Sequence, residues 1–141
     1  QIDAIMKNRN LRQKKFMEEE MNLSVLEVGQ SDQQFMKEVM DVIEHNYADS
    51  NFGVKELIQK LNMSYTLIYK KFVSLTGIPP VRFLLLYRLK IAKMILEKNR
   101  HNNVIVSEIA YRVGFNDPKY FTRCFVKQYN MTPSSIICQE S

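Results

Sequence analysis

The chain has 141 residues, 45% of them apolar and 25% charged, with a formal net charge of +5. That composition fits one domain with an appendage and excludes a wholly disordered chain; 4 Gly and 4 Pro are too few for a many-stranded sandwich or barrel. Two Cys exclude a disulfide framework or a four-thiolate metal site, and no run approaches the ~18 apolar residues of a membrane span.

The sequence opens on Gln1 with no signal-peptide pattern, which predicts a fragment of a longer, cytoplasmic protein. Residues 1–20 read as a helix end, with Ile2, Ile5, Met6 and Arg9 on one stripe and charges from Lys7 to Glu20. Residues 21–31 lose that periodicity and read as a linker. The predicted organisation is therefore a helical connector over 1–30 and a compact domain over 31–141. Charge follows the same division. Residues 1–52 carry 6 Lys or Arg against 10 Asp or Glu, whereas residues 53–141 carry 14 against 5. A basic block of that kind points to a polyanion.

From Ser31 the pattern is helical throughout, and the predicted fold is all-α with about seven helices. Residues 32–46, capped by Ser31 or Asp32, bury Phe35, Val39, Val42 and Ile43. Residues 54–61 place Val54, Leu57, Ile58 and Leu61 at i, i+3, i+4, i+7. Ser64 caps a helix whose inward stripe is Ile68, Phe72 and Leu75, and Gly77 ends it by adopting a left-handed backbone without strain. Pro79 and Pro80 open a long helix reaching about Asn99, with Arg82, Arg88, Lys90 and Lys93 interleaved. Arg100–Asn103 is a loop, followed by helices over about 107–113, 118–129 and 133–138.

Two stretches repeat. Val54 over Val106 aligns Glu56 with Glu108, Leu57 with Ile109 and Leu61 with Val113. One inserted residue later, Ser64 falls on Asp117, Ile68 on Phe121, Lys70 on Arg123, Phe72 on Phe125 and Pro80 on Pro133. Each copy has the outline of a helix-turn-helix. At 100° per residue, Phe121, Cys124, Phe125 and Gln128 share one half of the later helix. Lys119, Thr122, Arg123 and Val126 share the other, with Lys127 at its edge. In the first copy Thr66 and Lys70 point away from the core, flanked by Tyr69. A helix of this size fits the major groove, where Arg or Lys can bond guanine and Thr or Tyr can meet phosphates or thymine methyls. The Asp117–Pro118 start also offers backbone N–H groups to a phosphate.

The stretch "IAYRVGFNDPKYFTRCFVKQYNMTP" closely resembles the signature of AraC/XylS-type transcription regulators, matching at Ala110, Gly114, Phe115, Asp117, Tyr120, Phe121, Arg123, Phe125, Thr132 and Pro133. The earlier stretch from Met63 to Leu96 resembles the other half of that domain. The resemblance covers roughly residues 32–138 and implies two helix-turn-helix subdomains joined by a long linking helix, in a bacterial promoter-binding regulator, with activation the expected mode. The DNA-binding set it implies, together with the helical geometry, is Ser64, Thr66, Tyr69, Lys70, Asp117, Lys119, Tyr120, Thr122, Arg123 and Lys127. Asn130 stands where the family usually has Gly, and Ile136 and Ile137 replace a usual aromatic-plus-basic ending. A charged helix and short linker before such a domain are similar to the effector end of hybrid two-component response regulators. Residues 1–30 would then join an upstream receiver-like domain, through which two chains could pair.

No catalytic constellation is expected. His45 and His101 are isolated in sequence, Cys124 falls on the inward side of its helix, and Met36, Met40, Met63 and Met94 read as core fillers. Neither a metal nor a cofactor is predicted. The competing reading is an interaction module in which one subdomain binds DNA weakly and the other contacts RNA polymerase or a partner subunit. A linking helix of about 20 residues, ~30 Å long, would hold two recognition helices about one turn of DNA apart.

Overall fold

The computed structural model describes residues 30–138, which form seven α-helices and no strand. These are α1 (Gln30–Asn46), α2 (Val54–Leu61), α3 (Tyr65–Thr76), α4 (Pro80–Lys98), α5 (Val106–Arg112), α6 (Pro118–Tyr129) and α7 (Pro133–Cys138). The connector over residues 1–20 and most of the linker lie outside the described residues. The described residues divide into two compact units, 30–45 with 53–84 and 46–52 with 85–138. No single described helix is long and apolar enough to cross a membrane.

In the first unit, α1 turns Phe35, Met36, Val39 and Ile43 inward at helical spacing, and all four are buried. Leu57 of α2, Ile68 and Phe72 of α3, and Phe83 at the start of α4 are buried in the same unit. Phe72 is central. Its ring meets Phe35 edge-on at 6.0 Å and Phe83 at 5.2 Å, the offset geometry that aromatic quadrupoles favour. Thr76 is the one buried polar side chain among the described residues. Its hydroxyl donates to the Phe72 carbonyl at 2.7 Å and accepts from the Ile78 N–H at 3.2 Å, so its burial costs no unmade hydrogen bond.

The helix begins at Gln30, two residues earlier than its pattern implies, so Ser31 and Asp32 lie in its first turn and do not cap it. Asp32 has another partner: its carboxylate takes the Lys71 ammonium of α3 at 3.2 Å, and the same ammonium lies 5.3 Å from the centre of the Phe35 ring. Val42, Val54, Ile58, Leu61 and Leu75 are only half-buried, each on the flank of its stripe. Buried Thr76 takes the inward place that helical spacing assigns to Leu75.

The second unit is built around a row of rings. Phe115 meets Phe121 at 5.1 Å, Phe121 meets Phe125 at 5.6 Å, and Phe125 meets Tyr129 at 4.8 Å. The Lys93 ammonium lies 4.6 Å from the Tyr129 ring centre. Burial, with Glu97 nearby, pushes the Tyr129 phenol up to about 12, so it stays neutral at physiological pH. Leu89, Ala92 and Leu96 of α4, Ile109 and Ala110 of α5 and Ile136 of α7 complete the core.

Arg88 ties the 46–52 loop to α4. Its guanidinium donates to the carbonyls of Tyr47 at 2.9 Å, Asp49 at 3.0 Å and Phe52 at 2.8 Å. Read as one of several cations along the long helix, Arg88 is instead a fork holding three backbone acceptors. Gly114 packs against this knot. At φ +101° only glycine is unstrained, and a Cβ there would collide with the Tyr47 carbonyl oxygen.

Helices α4 and α5 end one residue before their predicted limits, at Lys98 and Arg112, and α6 and α7 match theirs. Because Phe72 and Phe125 are fully buried among packed rings, we expect Phe72→Ala and Phe125→Ala each to cost ~3–5 kcal/mol. Urea or thermal unfolding of the two variants checks this, and near-native stability would mean that the helix faces are wrongly assigned.

Candidate nucleic-acid interface

Each unit holds a pair formed by a short and a longer helix, and the repeat in sequence is repeated in backbone conformation. Asn62 after α2 and Gly114 after α5 occupy aligned positions and both take positive φ, 56° and 101°. Ser64 and Asp117 are the aligned N-caps of α3 and α6. Ser64 Oγ accepts from the Leu67 N–H at 3.2 Å, and Asp117 Oδ1 accepts from the Lys119 N–H at 3.0 Å. At the far ends, Gly77 (φ 84°) and Asn130 (φ 59°) are both left-handed and return their N–H groups to the aligned Val73 and Val126 carbonyls at 2.9 and 2.8 Å. Asparagine thus fills the family's glycine position in the conformation that position requires.

These caps alter the reading of two predicted contacts. The side chains of Ser64 and Asp117 are turned onto their own helix starts. The first-turn donors of α6 are correspondingly fewer than expected for a phosphate seat, since Pro118 has no N–H and that of Lys119 goes to Asp117.

The outward faces follow from the core. Phe125 faces inward, so Arg123, two residues or about 200° away, faces out, and Lys70 stands in the same relation to Phe72. Thr66, Tyr69 and Lys70 are exposed on α3, and Lys119, Tyr120, Arg123 and Lys127 on α6. Thr122 is the exception. It is half-buried, because a step of 100° from Phe121 leaves it beside the core rather than opposite it. Cys124, placed on the inward side, is also half-buried.

Exposure adds Tyr65, Leu67 and Ser74 on α3, which the sequence reading passed over. The repeat itself carries the signal for two of them. Leu67 aligns with Tyr120, and Ser74 with Lys127.

The cations differ in what they touch. Lys71 pairs with Asp32 at 3.2 Å, Lys93 approaches Glu97 at 4.0 Å, and Arg88 is bound to carbonyls. Among the described residues no carboxylate pairs with Lys70, Lys119, Arg123 or Lys127. The Arg123 guanidinium lies 5.6 Å from the Tyr120 ring centre, one helical turn back, which steadies it on the surface.

His45 is less isolated than its sequence position implies. Its Nδ1 lies 2.7 Å from the Asp41 carbonyl and 3.6 Å from the Asp41 carboxylate, and the carbonyl contact above all raises its pKa. Asp41, Glu44 and His45 form an exposed acidic group on α1. His101 is exposed in the loop after α4.

A family model described as a helix-turn-helix domain matches residues 57–137. Among curated proteins, histidine kinase P4 of Formosa agariphila is 36% identical over 134 residues, 94% of this chain and 10% of that protein. Several further curated relatives are named transcriptional activators. The chain spans from about a tenth to about two fifths of the length of these curated relatives.

The crystal structure of the C-terminal domain of the two-component response regulator yesN from Fusobacterium nucleatum is similar with a TM-score of 0.66 and 33% identity. That match covers 74% of this chain and 98% of that one. The DNA-binding domain of AdpA, solved in complex with a target DNA, is similar with a TM-score of 0.62 and 28% identity, over 72% of this chain and 86% of that one.

The left-handed cap gives a direct test of the local geometry. Asn130→Ala should cost about 1 kcal/mol, because alanine pays the left-handed penalty, while Asn130→Gly should stay close to the parent. Chemical denaturation of both variants checks the order.

Proposed function

Because the chain belongs to the AraC-type helix-turn-helix family of transcription regulators, we propose that it activates transcription by reading promoter DNA with α3 and α6 in two successive major grooves. The observation that carries this reading is the pair of cations without a carboxylate partner among the described residues, Lys70 and Arg123, at equivalent outward positions of two helices that are capped at aligned residues. Arg123 reads a base edge, and Lys119 and Lys127, one turn before and after it, meet phosphates. Thr66 stands one turn before Lys70 on the same stripe of α3, Tyr69, Tyr120 and Thr122 line the flanks, and Ser64 and Asp117 act by fixing where each helix starts.

The chain further serves as the output domain of a cytoplasmic two-component regulator. Residues 1–30 connect it to a receiver-like domain, and domain 31–141 carries the DNA contacts. The match along nearly the whole chain to a small part of a histidine kinase supports this, as does the similarity to the yesN C-terminal domain. Switching upstream would pair two chains and raise the local concentration of the second DNA-binding domain at the promoter. A second reading is favoured by the single cation among Thr66, Lys70 and Ser74 on α3. In that reading α6 alone grips DNA and the α3 half meets RNA polymerase.

Titration of the chain against duplexes selected from a random pool, at two salt concentrations, tests the reading. Log K should fall by ~0.9 per phosphate contact per log unit of salt. Arg123→Ala should cost ~1–3 kcal/mol on the best site and relax preference at one base position. Uniform weakening across all duplexes would make Arg123 a phosphate clamp, and unchanged affinity would remove it from the interface. Weak binding with no preferred duplex would favour the protein-interaction reading.

A further inference from the structure

The aligned outward stripes of the two longer helices are chemically unlike. On α6 the stripe at i, i+4, i+8 is Lys119, Arg123 and Lys127, all exposed, with no carboxylate paired to any of them among the described residues. On α3 the same three places hold Thr66, Lys70 and Ser74. Beside Thr66 in the first turn stands Leu67, 44% exposed on a helix whose other large aliphatic side chains face the core or its edge. The Tyr65 and Tyr69 rings, 5.7 Å apart and both exposed, extend the low-charge character along the other flank. The one remaining cation of α3, Lys71, is turned to Asp32 and the Phe35 ring.

Resting on the DNA-binding reading above, we propose that the two helices divide the readout. The α6 helix reads guanine and grips phosphates by charge, and α3 reads thymine methyl groups through Thr66 and Leu67. The thymine C5-methyl is the apolar feature that a base pair presents in the major groove, and it is met by apolar side chains or a threonine methyl. Recognition helices contact base edges with their N-terminal residues, which is where Thr66 and Leu67 lie. Guanine N7 and O6 suit the fork of Arg123. The two contact blocks of the preferred site are therefore different in base content, one rich in thymine and one containing guanine. Salt dependence comes mainly from α6.

The test uses the 141-residue chain and its best selected duplex. Each thymine is replaced in turn by deoxyuridine, which removes only the methyl, and each guanine by 7-deazaguanine, which removes the N7 acceptor. Wild type should lose about fourfold in affinity per contacted methyl. It should lose about tenfold at the guanine that Arg123 reads. The deoxyuridine loss should vanish in Leu67→Ala or Thr66→Ser and persist in Arg123→Ala, and the 7-deazaguanine loss should behave in the opposite way. Lys119→Ala with Lys127→Ala should lower the salt slope by about 2, and Lys70→Ala by no more than about 1. Circular dichroism of each surface variant checks that its helices are kept.

Deoxyuridine substitutions that are silent everywhere, on a duplex that is still bound selectively, would overturn the division and leave DNA binding intact. So would guanine losses coupled to Lys70 and not to Arg123. A pool that yields no preferred duplex would remove the parent reading and this one together.

Discussion

Two buried phenylalanines set the rotation of the helices that carry the proposed DNA contacts. Phe72 and Phe125 occupy aligned positions, both are fully buried, and both pack among other rings, edge-on at Phe72 and tilted at Phe125. A helix held by such a side chain cannot roll without opening a cavity, which makes the opposite face as fixed as the core. Lys70 and Arg123, each two residues earlier, are outward as a consequence. Caps then fix where each helix starts and stops: Ser64 and Gly77 for α3, Asp117 and Asn130 for α6.

Within this frame two sets of cations have different physical roles. Arg88 satisfies three carbonyls of the 46–52 loop, Lys71 meets a carboxylate 39 residues away in sequence, and Lys93 lies over Tyr129. These hold the protein together. Lys119, Arg123 and Lys127 project from one stripe of α6 with no carboxylate paired to them among the described residues. Leaving like charges side by side on a helix is mildly destabilising, a cost that the proposed contact with DNA phosphates would offset.

Features that depend on local rules were legible in the sequence. The repeat, the Ser64 and Asp117 caps, the left-handed ends at Gly77 and Asn130 and the start of the long helix at Pro80 all follow from residue type and spacing, and the structure shows each of them. The asparagine at 130 could be read correctly because its short amide side chain tolerates the left-handed region.

Features that depend on distant partners were not legible. Arg88 looked like one more interleaved cation, since its acceptors are backbone carbonyls around 40 residues away that no side-chain pattern reveals. Asp32 has the residue type and place of a cap, and its Lys71 partner lies 39 residues away, beyond any local pattern. Thr122 falls in the outward half of the helix wheel, but its neighbour Phe121 is fully buried and leaves it half-buried at the core edge. Leu67 and Ser74 carry no charge to mark them as nucleic-acid contacts, and only the repeat, which aligns them with Tyr120 and Lys127, points to them.

The central claim is that one chain contacts DNA with two unlike helices. Hydroxyl-radical footprinting of the chain on its selected duplex, at a concentration where it is monomeric, tests that claim most directly. The account predicts two protected blocks on one face of the duplex. One of them should weaken in Arg123→Ala and the other in a variant carrying Thr66→Ala with Lys70→Ala. A single block that responds only to Arg123→Ala would contradict it.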